Sequence, residues 1–274
     1  MTLLSLFQYG FAVRALEAGV IVALVAPLIG IFLVLRRYSL IADTFAHVSL
    51  AGITIGFLLG WNPMLTALGA TLASSLGIER LRSAKKVYGE SALAIFLSGS
   101  LALAVVLASV GKGLNADILH YLFGSIVTVT PTDVAVIAAL AAVVAGVIAL
   151  FYKELVFISF DEESAAISGI KTRLINIILI MLAAFTVAIA IPIVGVLLIS
   201  ALMIVPVATA LQMKKSFVRT LFYAEIISVC SVVTGIIASF ALNLSTGGTI
   251  VLIMIAFFML TLGYKGSSGQ VPRY

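Results

Sequence analysis

Charge is what this sequence lacks most. Only 10% of its 274 residues are Asp, Glu, Lys or Arg, 63% are apolar, and mean hydropathy is +1.28. A soluble domain needs about a quarter of its residues charged to cover its surface, so a water-soluble enzyme, a disordered regulator and a collagen-like fibre are excluded. The single cysteine, Cys230, lies in an apolar run, which excludes a disulfide framework, a cysteine zinc cluster and an iron–sulfur centre. The two histidines, His47 and His120, stand on separate segments, so there is no HExxH zinc-protease motif and no multi-haem ligation. No GxxxxGK[ST] phosphate loop occurs; GKG at 111–113 and GYKGSSG near the carboxyl end lack its spacing, so ATP hydrolysis by that route is excluded. No cleavable signal peptide is expected, because no basic start precedes a short apolar run with a small-residue cleavage site.

What the chain has instead is long apolar runs. A helical crossing needs about 20 largely apolar residues, and nine segments qualify: 11–35, 40–61, 63–78, 91–111, 134–152, 174–191, 193–213, 220–242 and 249–264. The sixth and seventh divide one uncharged stretch of 40 residues, 174–213, which as a single helix would be about 60 Å long. Pro192 and Gly195 offer the break, and if either half crosses only partly the count is eight. The expected fold is therefore all-α, a polytopic membrane bundle of about eight or nine transmembrane helices. It forms one domain over 1–265, with a cytoplasmic loop at 153–173 and a short tail at 266–274. Fourteen of the sixteen Lys and Arg residues fall on one side if the amino terminus is outside, leaving only Arg14 and Lys112 opposite. The positive-inside rule then puts the carboxyl terminus in the cytoplasm. The +5 net charge follows from these loop clusters and does not call for nucleic acid.

Charges inside an apolar span mark function by default. Asp43 and His47 are four residues apart in SLIADTFAHVSLAGITIGFLLG, about 40° apart on one helical face. Gly52, Gly56 and Gly60 form a small-xxx-small series centred on the opposite face, suited to close helix packing. Three readings of the pair stay open. Asp43 caps a helix or simply pairs with His47; the pair relays protons; or carboxylate and imidazole are ligands for a divalent transition metal. Two ligands do not close a metal site, but a two-fold homodimer supplies four. In 153–173, KELVFISFDEESAAISGIKTR, Ser159 with Glu162 has capping-box spacing. Asp161, Glu162 and Glu163 suit a helix amino terminus, and Gly169 a terminator, which predicts a short surface helix. Glu225, near Arg219, is expected to reach the membrane interface. Asp117 and His120 are candidates for an outer mouth that receives a cation. Trp61, Tyr38, Tyr121 and Tyr264 fall at span ends, as an aromatic belt requires, and need no further role.

Four stretches together resemble one family. FLVLRRYSLIADTFAHVSLAGI, LHYLFGSI, FDEESAAISGI and IPIVGVLLISALMIVPVATA occur in order between about 11 and 263, and are similar to the permease of zinc and manganese ABC importers, the ZnuB type. The resemblance implies a permease homodimer, two cytoplasmic ATPase subunits that bind ATP, and an external metal-binding protein. It implies no resident cofactor, with Zn2+ or Mn2+ as transported substrate and Asp43 and His47 in its path. It also implies that 160–170 is the coupling helix seated on the ATPase, with Phe160, Asp161, Glu162, Glu163, Ala166 and Gly169 at the contact. ADTFAHVSLAG looks closer to Gram-positive zinc permeases than to manganese permeases, although zinc outranks manganese at any nitrogen and oxygen site, so selectivity can rest with the delivering protein. A manganese or iron permease is the alternative within the family. A proton-coupled secondary transporter and a membrane anchor for an enzyme are the alternatives outside it.

Overall fold

The computed structural model describes residues 10–83, 89–111, 121–124 and 129–267, and these contain helices and no strand. In a bilayer every backbone N–H must find its acceptor within the protein, which leaves the helix as the solution for runs this apolar. In chain order they are α1 (Gly10–Leu35), α2 (Leu40–Leu59), α3 (Pro63–Ser83), α4 (Gly89–Val110), α5 (Pro131–Leu150), α6 (Tyr152–Phe160), α7 (Glu162–Ile167), α8 (Thr172–Val194), α9 (Val196–Leu211), α10 (Phe217–Leu242) and α11 (Thr246–Ser267). Each of the nine expected spans has its helix. Seven of these are long and apolar enough to cross a membrane. The exceptions are α9, of 16 residues, and α3, of 21 residues, whose last turns carry Glu79, Arg80 and Arg82.

The breaks have local causes. At the end of α1 the Tyr38 amide donates to Leu33 and the Arg37 amide to Val34, with Arg37 left-handed at φ 59°. That is a Schellman turn with arginine where glycine is usual. Gly195, at φ +86°, separates α8 from α9, so the break falls after Pro192, which α8 absorbs. A Cβ on Gly195 would lie 2.5 Å from the Gly124 nitrogen and 2.6 Å from the Leu122 oxygen, so segment 121–124 rests on the discontinuity backbone to backbone. α5 begins on a capping box in which Thr130 accepts from the Asp133 amide and Asp133 accepts from the Thr130 amide, with Pro131 next. Helix continues through Lys153, so the expected loop at 153–173 is largely two helices, α6 and α7. α11 runs to Ser267, two residues into the expected tail.

α1, α2 and α8 form the centre, with 67%, 72% and 72% of their spans buried. α4, α5 and α11 are buried over only 11%, 17% and 17%, and their apolar outer faces suit lipid. α3 and α4 pack on α2, α8 lies between that group and α1, and α9 joins α1, α2, α10 and α11. The α1–α2 turn, the end of α3 and the starts of α4 and α8 thereby meet at one end of the bundle, together with α7.

Candidate functional site

α2 is almost wholly buried. The line that stays open carries Leu40, Asp43 and His47, on the side that α3, α4, α8 and α9 do not cover. The opposite side is pressed against α3. A Cβ on Gly52 would lie 2.7 Å from the Ala67 Cα, and one on Gly56 2.3 Å from the Thr66 hydroxyl and 2.9 Å from the Pro63 Cα. Gly60 departs from the packing role expected of it. A Cβ there meets nothing within 4 Å; the residue closes α2 at φ +67°, its amide donating to Phe57 and to Gly56.

Asp43 and His47 are the fourth and eighth residues of α2, about 5 Å and 11 Å in from its start, so they lie in the half of the span nearest the Arg36 end. The Asp43 carboxylate is 4.0 Å from the His47 Nε2, too long for a hydrogen bond. Two donors about 2.1 Å from one tetrahedral metal stand roughly 3.4 Å apart, so a small inward adjustment lets both touch one ion. Asp43 makes no capping bond; the cap position of α2 is Ser39. The Asp43 side chain is 42% exposed and that of His47 15%. The His47 Nδ1 is buried with no hydrogen-bond partner among the described residues, so no protein acceptor fixes the ring's tautomer. Also among the described residues, no three His, Cys, Asp or Glu side chains gather as one ligand set.

The short helix α7 is built differently from the sequence expectation. Its cap is Asp161, which accepts from the Ser164 amide at 2.9 Å and the Ser164 hydroxyl at 2.5 Å. Those bonds, the hydroxyl first, hold the Asp161 carboxyl below its usual range. Ser159, expected in the capping box, instead donates to the Leu155 carbonyl. Gly169, left-handed at φ +86°, ends the helix, with the Ile170 amide on Ala165 and its own on Ala166. Ala165 is buried, whereas Glu163, Ala166 and Gly169 are exposed. Phe160 is 66% exposed and Ile167 88%, an apolar tip beside acidic residues. Ile167 was missed in the sequence because nothing there showed that its turn stands clear of the bundle. Phe160 also meets Phe217 edge-on, ring centroids 6.3 Å apart.

Glu162 bonds back to its own bundle while 45% of its side chain stays exposed. Its carboxylate accepts from Arg36 Nη2 at 2.7 Å and from Asn176 Nδ2 at 2.7 Å, while Arg36 Nη1 donates to the Asn176 oxygen at 2.5 Å. Tyr38, expected only as a belt residue, meets two cations: the Arg36 guanidinium lies 5.0 Å and that of Arg82 4.2 Å from its ring centre. Arg82 also donates to its hydroxyl and pairs with Glu79 at 3.3 Å. A cavity of about 470 Å3 opens beside these groups. Glu225 is half-buried in α10 and forms no ion pair with Arg219 among the described residues. Glu17, a charge within α1 that sequence reading passed over, is exposed. Asp117 and His120 lie outside the described residues.

Comparison with known proteins agrees with this architecture. A family model described as "ABC 3 transport family" matches residues 8–265. A Treponema pallidum protein named "Probable metal transport system membrane protein" is 39% identical over 257 residues, 94% of this chain and 96% of that one. The "Manganese transport system membrane protein MntC" of Listeria innocua is 30% identical over 265 residues, 97% of this chain and 94% of that one. A chain of the solved structure "PsaBC from Streptococcus pneumoniae in complex with Fab" superposes with a TM-score of 0.84 at 30% identity, covering 93% of this chain and 92% of that one. The match spans nearly the whole bundle, and this multi-pass membrane permease belongs to the ABC 3 transport family.

Proposed function

We propose that this permease imports a divalent transition metal cation, with Asp43 and His47 as its transient ligands. The observation that carries the reading is the open pair on an otherwise buried α2: a carboxylate and an imidazole 4.0 Å apart, without a hydrogen bond between them. A second copy across a two-fold axis over the uncovered side of α2 completes a set of two carboxylates and two imidazoles, the four donors a tetrahedral ion accepts. The ion then exchanges part of its hydration for protein ligands, and the half-open geometry keeps binding weak enough for release.

Membership of an ABC family sets aside proton-driven transport and the enzyme anchor, since the driving force is ATP hydrolysis on a partner chain. In this reading two ATPase subunits receive the exposed tip of α7, with Phe160 and Ile167 as its apolar contacts, and an external protein delivers the ion. The basic residues of the Arg36 end orient that end to the cytoplasm. Relatives named for metal and manganese transport support the substrate class. Zinc is favoured by the wording of the α2 motif and by its affinity for nitrogen and oxygen donors; manganese is equally supported by those names. The test is ATP-dependent uptake by the reconstituted complex with zinc and manganese in competition. Transport of either supports the reading and the competition decides between them; transport of neither overturns it.

A further inference from the structure

Glu162 is 45% exposed, yet both of its carboxylate oxygens bond to the permease's own side chains. Arg36 is almost fully buried, with 4% of its side chain exposed, and Asn176 is 6% exposed. Three partners 126 and 140 residues apart in sequence thus close a ring of charge-assisted bonds, each 2.5 to 2.7 Å long. Such bonds are short, directional and about twice as strong as neutral ones.

What Arg36 is attached to matters more. It stands one residue past the end of α1, in the Schellman turn whose paired amides tie Leu33, Val34, Arg37 and Tyr38 together. The Ile41 amide bonds to the Tyr38 carbonyl, and α2 begins at Leu40. Asp43 follows one turn later. The connection from Arg36 to Asp43 is therefore short, hydrogen-bonded and free of flexible spacer. It is further held by the contacts of the Tyr38 ring with the Arg36 and Arg82 guanidiniums. Beside it the cavity of about 470 Å3 leaves room for displacement, which a close-packed interior denies.

We infer that Arg36 is the positioning residue that carries movement of α7 to the Asp43–His47 pair: the Glu162–Arg36–Asn176 ring clamps the coupling segment to the start of α2, and the left-handed turn at Arg37 passes the motion on. The inference rests on the function proposed above, since it needs α7 to be the element the ATPase moves. Asp161, Phe160 and Ile167 then face the partner, and Glu162 holds Arg36.

The experiment uses the whole reconstituted complex in proteoliposomes, with metal uptake and ATP hydrolysis measured on the same vesicles. Arg36→Gln, and independently the more exposed Glu162→Gln, should lower uptake per ATP hydrolysed by about tenfold or more. Co-purification of the ATPase should be retained, and hydrolysis should stay within about twofold of the parent. The exchanged pair Arg36→Glu with Glu162→Arg should restore most of the ratio, which a residue acting only as structural filling would not do. An unchanged uptake-to-hydrolysis ratio in both single variants, or loss of ATPase binding in both, overturns the clamp while the parent complex still transports. If the parent complex moves neither zinc nor manganese, the function itself fails and the clamp with it.

Discussion

Two carboxylates near the same end of the bundle are treated in opposite ways. Glu162 has both oxygens bonded, to Arg36 and to Asn176. Among the described residues Asp43 has an imidazole 4.0 Å away as its one ionic neighbour, and the far nitrogen of that imidazole is buried without a partner there. Folding tends to satisfy buried polar groups, and exceptions need explaining. The closed ring is what a structural or transmitting element requires. The open pair is what a guest requires, because a ligand set already closed by protein has no reason to admit an ion. The difference teaches that charge within a membrane chain is not one signal: its degree of satisfaction separates positions that hold from positions that receive.

The strongest way to disturb that contrast is to move α2 itself. Gly56→Leu drives a side chain into Thr66 and Pro63, and overpacking of this kind costs about 3 kcal/mol. The expected outcome is loss of monodisperse permease on size exclusion in detergent, with both carboxylates misplaced together. Asn176→Leu separates them: it removes one bond each from Glu162 and Arg36, so stability should fall by about 1–3 kcal/mol, read as a lower melting temperature of the purified permease. Ile167→Asp tests the outward side of the same helix. The residue is 88% exposed, so melting should not change, while ATPase association should weaken about tenfold if the side chain is buried at the contact.

The smallest effect concerns acid. The Asp161 carboxyl is held low mainly by the Ser164 hydroxyl, then by its amide. A carboxylate depressed in the folded state stabilises it above the ordinary pKa, and that contribution is lost as pH falls through the depressed value. The protection of α7 amides, taken as exchange relative to the intrinsic rate at each pH, should therefore be constant near neutrality. It should fall only on acidification below the usual carboxylate range, and Asp161→Asn should flatten that response.

Much of the fold was legible because the bilayer imposes a length: the apolar runs are where the helices are, and glycine at 195 breaks the 40-residue stretch. The polar helix α3 shows where that logic thins. Thr71, Ser75 and Glu79 are buried against other helices, so composition alone gives the span at 63–78 but hides its extension to Ser83. Local chemistry misled at Ser159, where a hydroxyl can satisfy the carbonyl four residues back instead of capping forward, and at Gly60, where a repeat of small residues ended in a turn. Thr130 to Asp133 carried a capping signature in plain view. The spacing of Asp43 and His47 was readable from helical period; their openness was not, because it depends on which neighbours leave one side of α2 uncovered. The ring of Arg36, Glu162 and Asn176 was out of reach, since Arg36 lies more than a hundred residues from the other two and only tertiary packing brings it to them.

The central claim is that the open pair on α2 receives the metal. Asp43→Asn keeps the shape and removes the charge, so its effect on ATP-driven uptake in proteoliposomes, measured beside melting temperature and ATPase binding, isolates that role. The account predicts uptake lowered by about tenfold or more, a transition-state cost of roughly 1.4 kcal/mol, with melting and ATPase binding unchanged. Uptake at the parent rate from Asp43→Asn would contradict it.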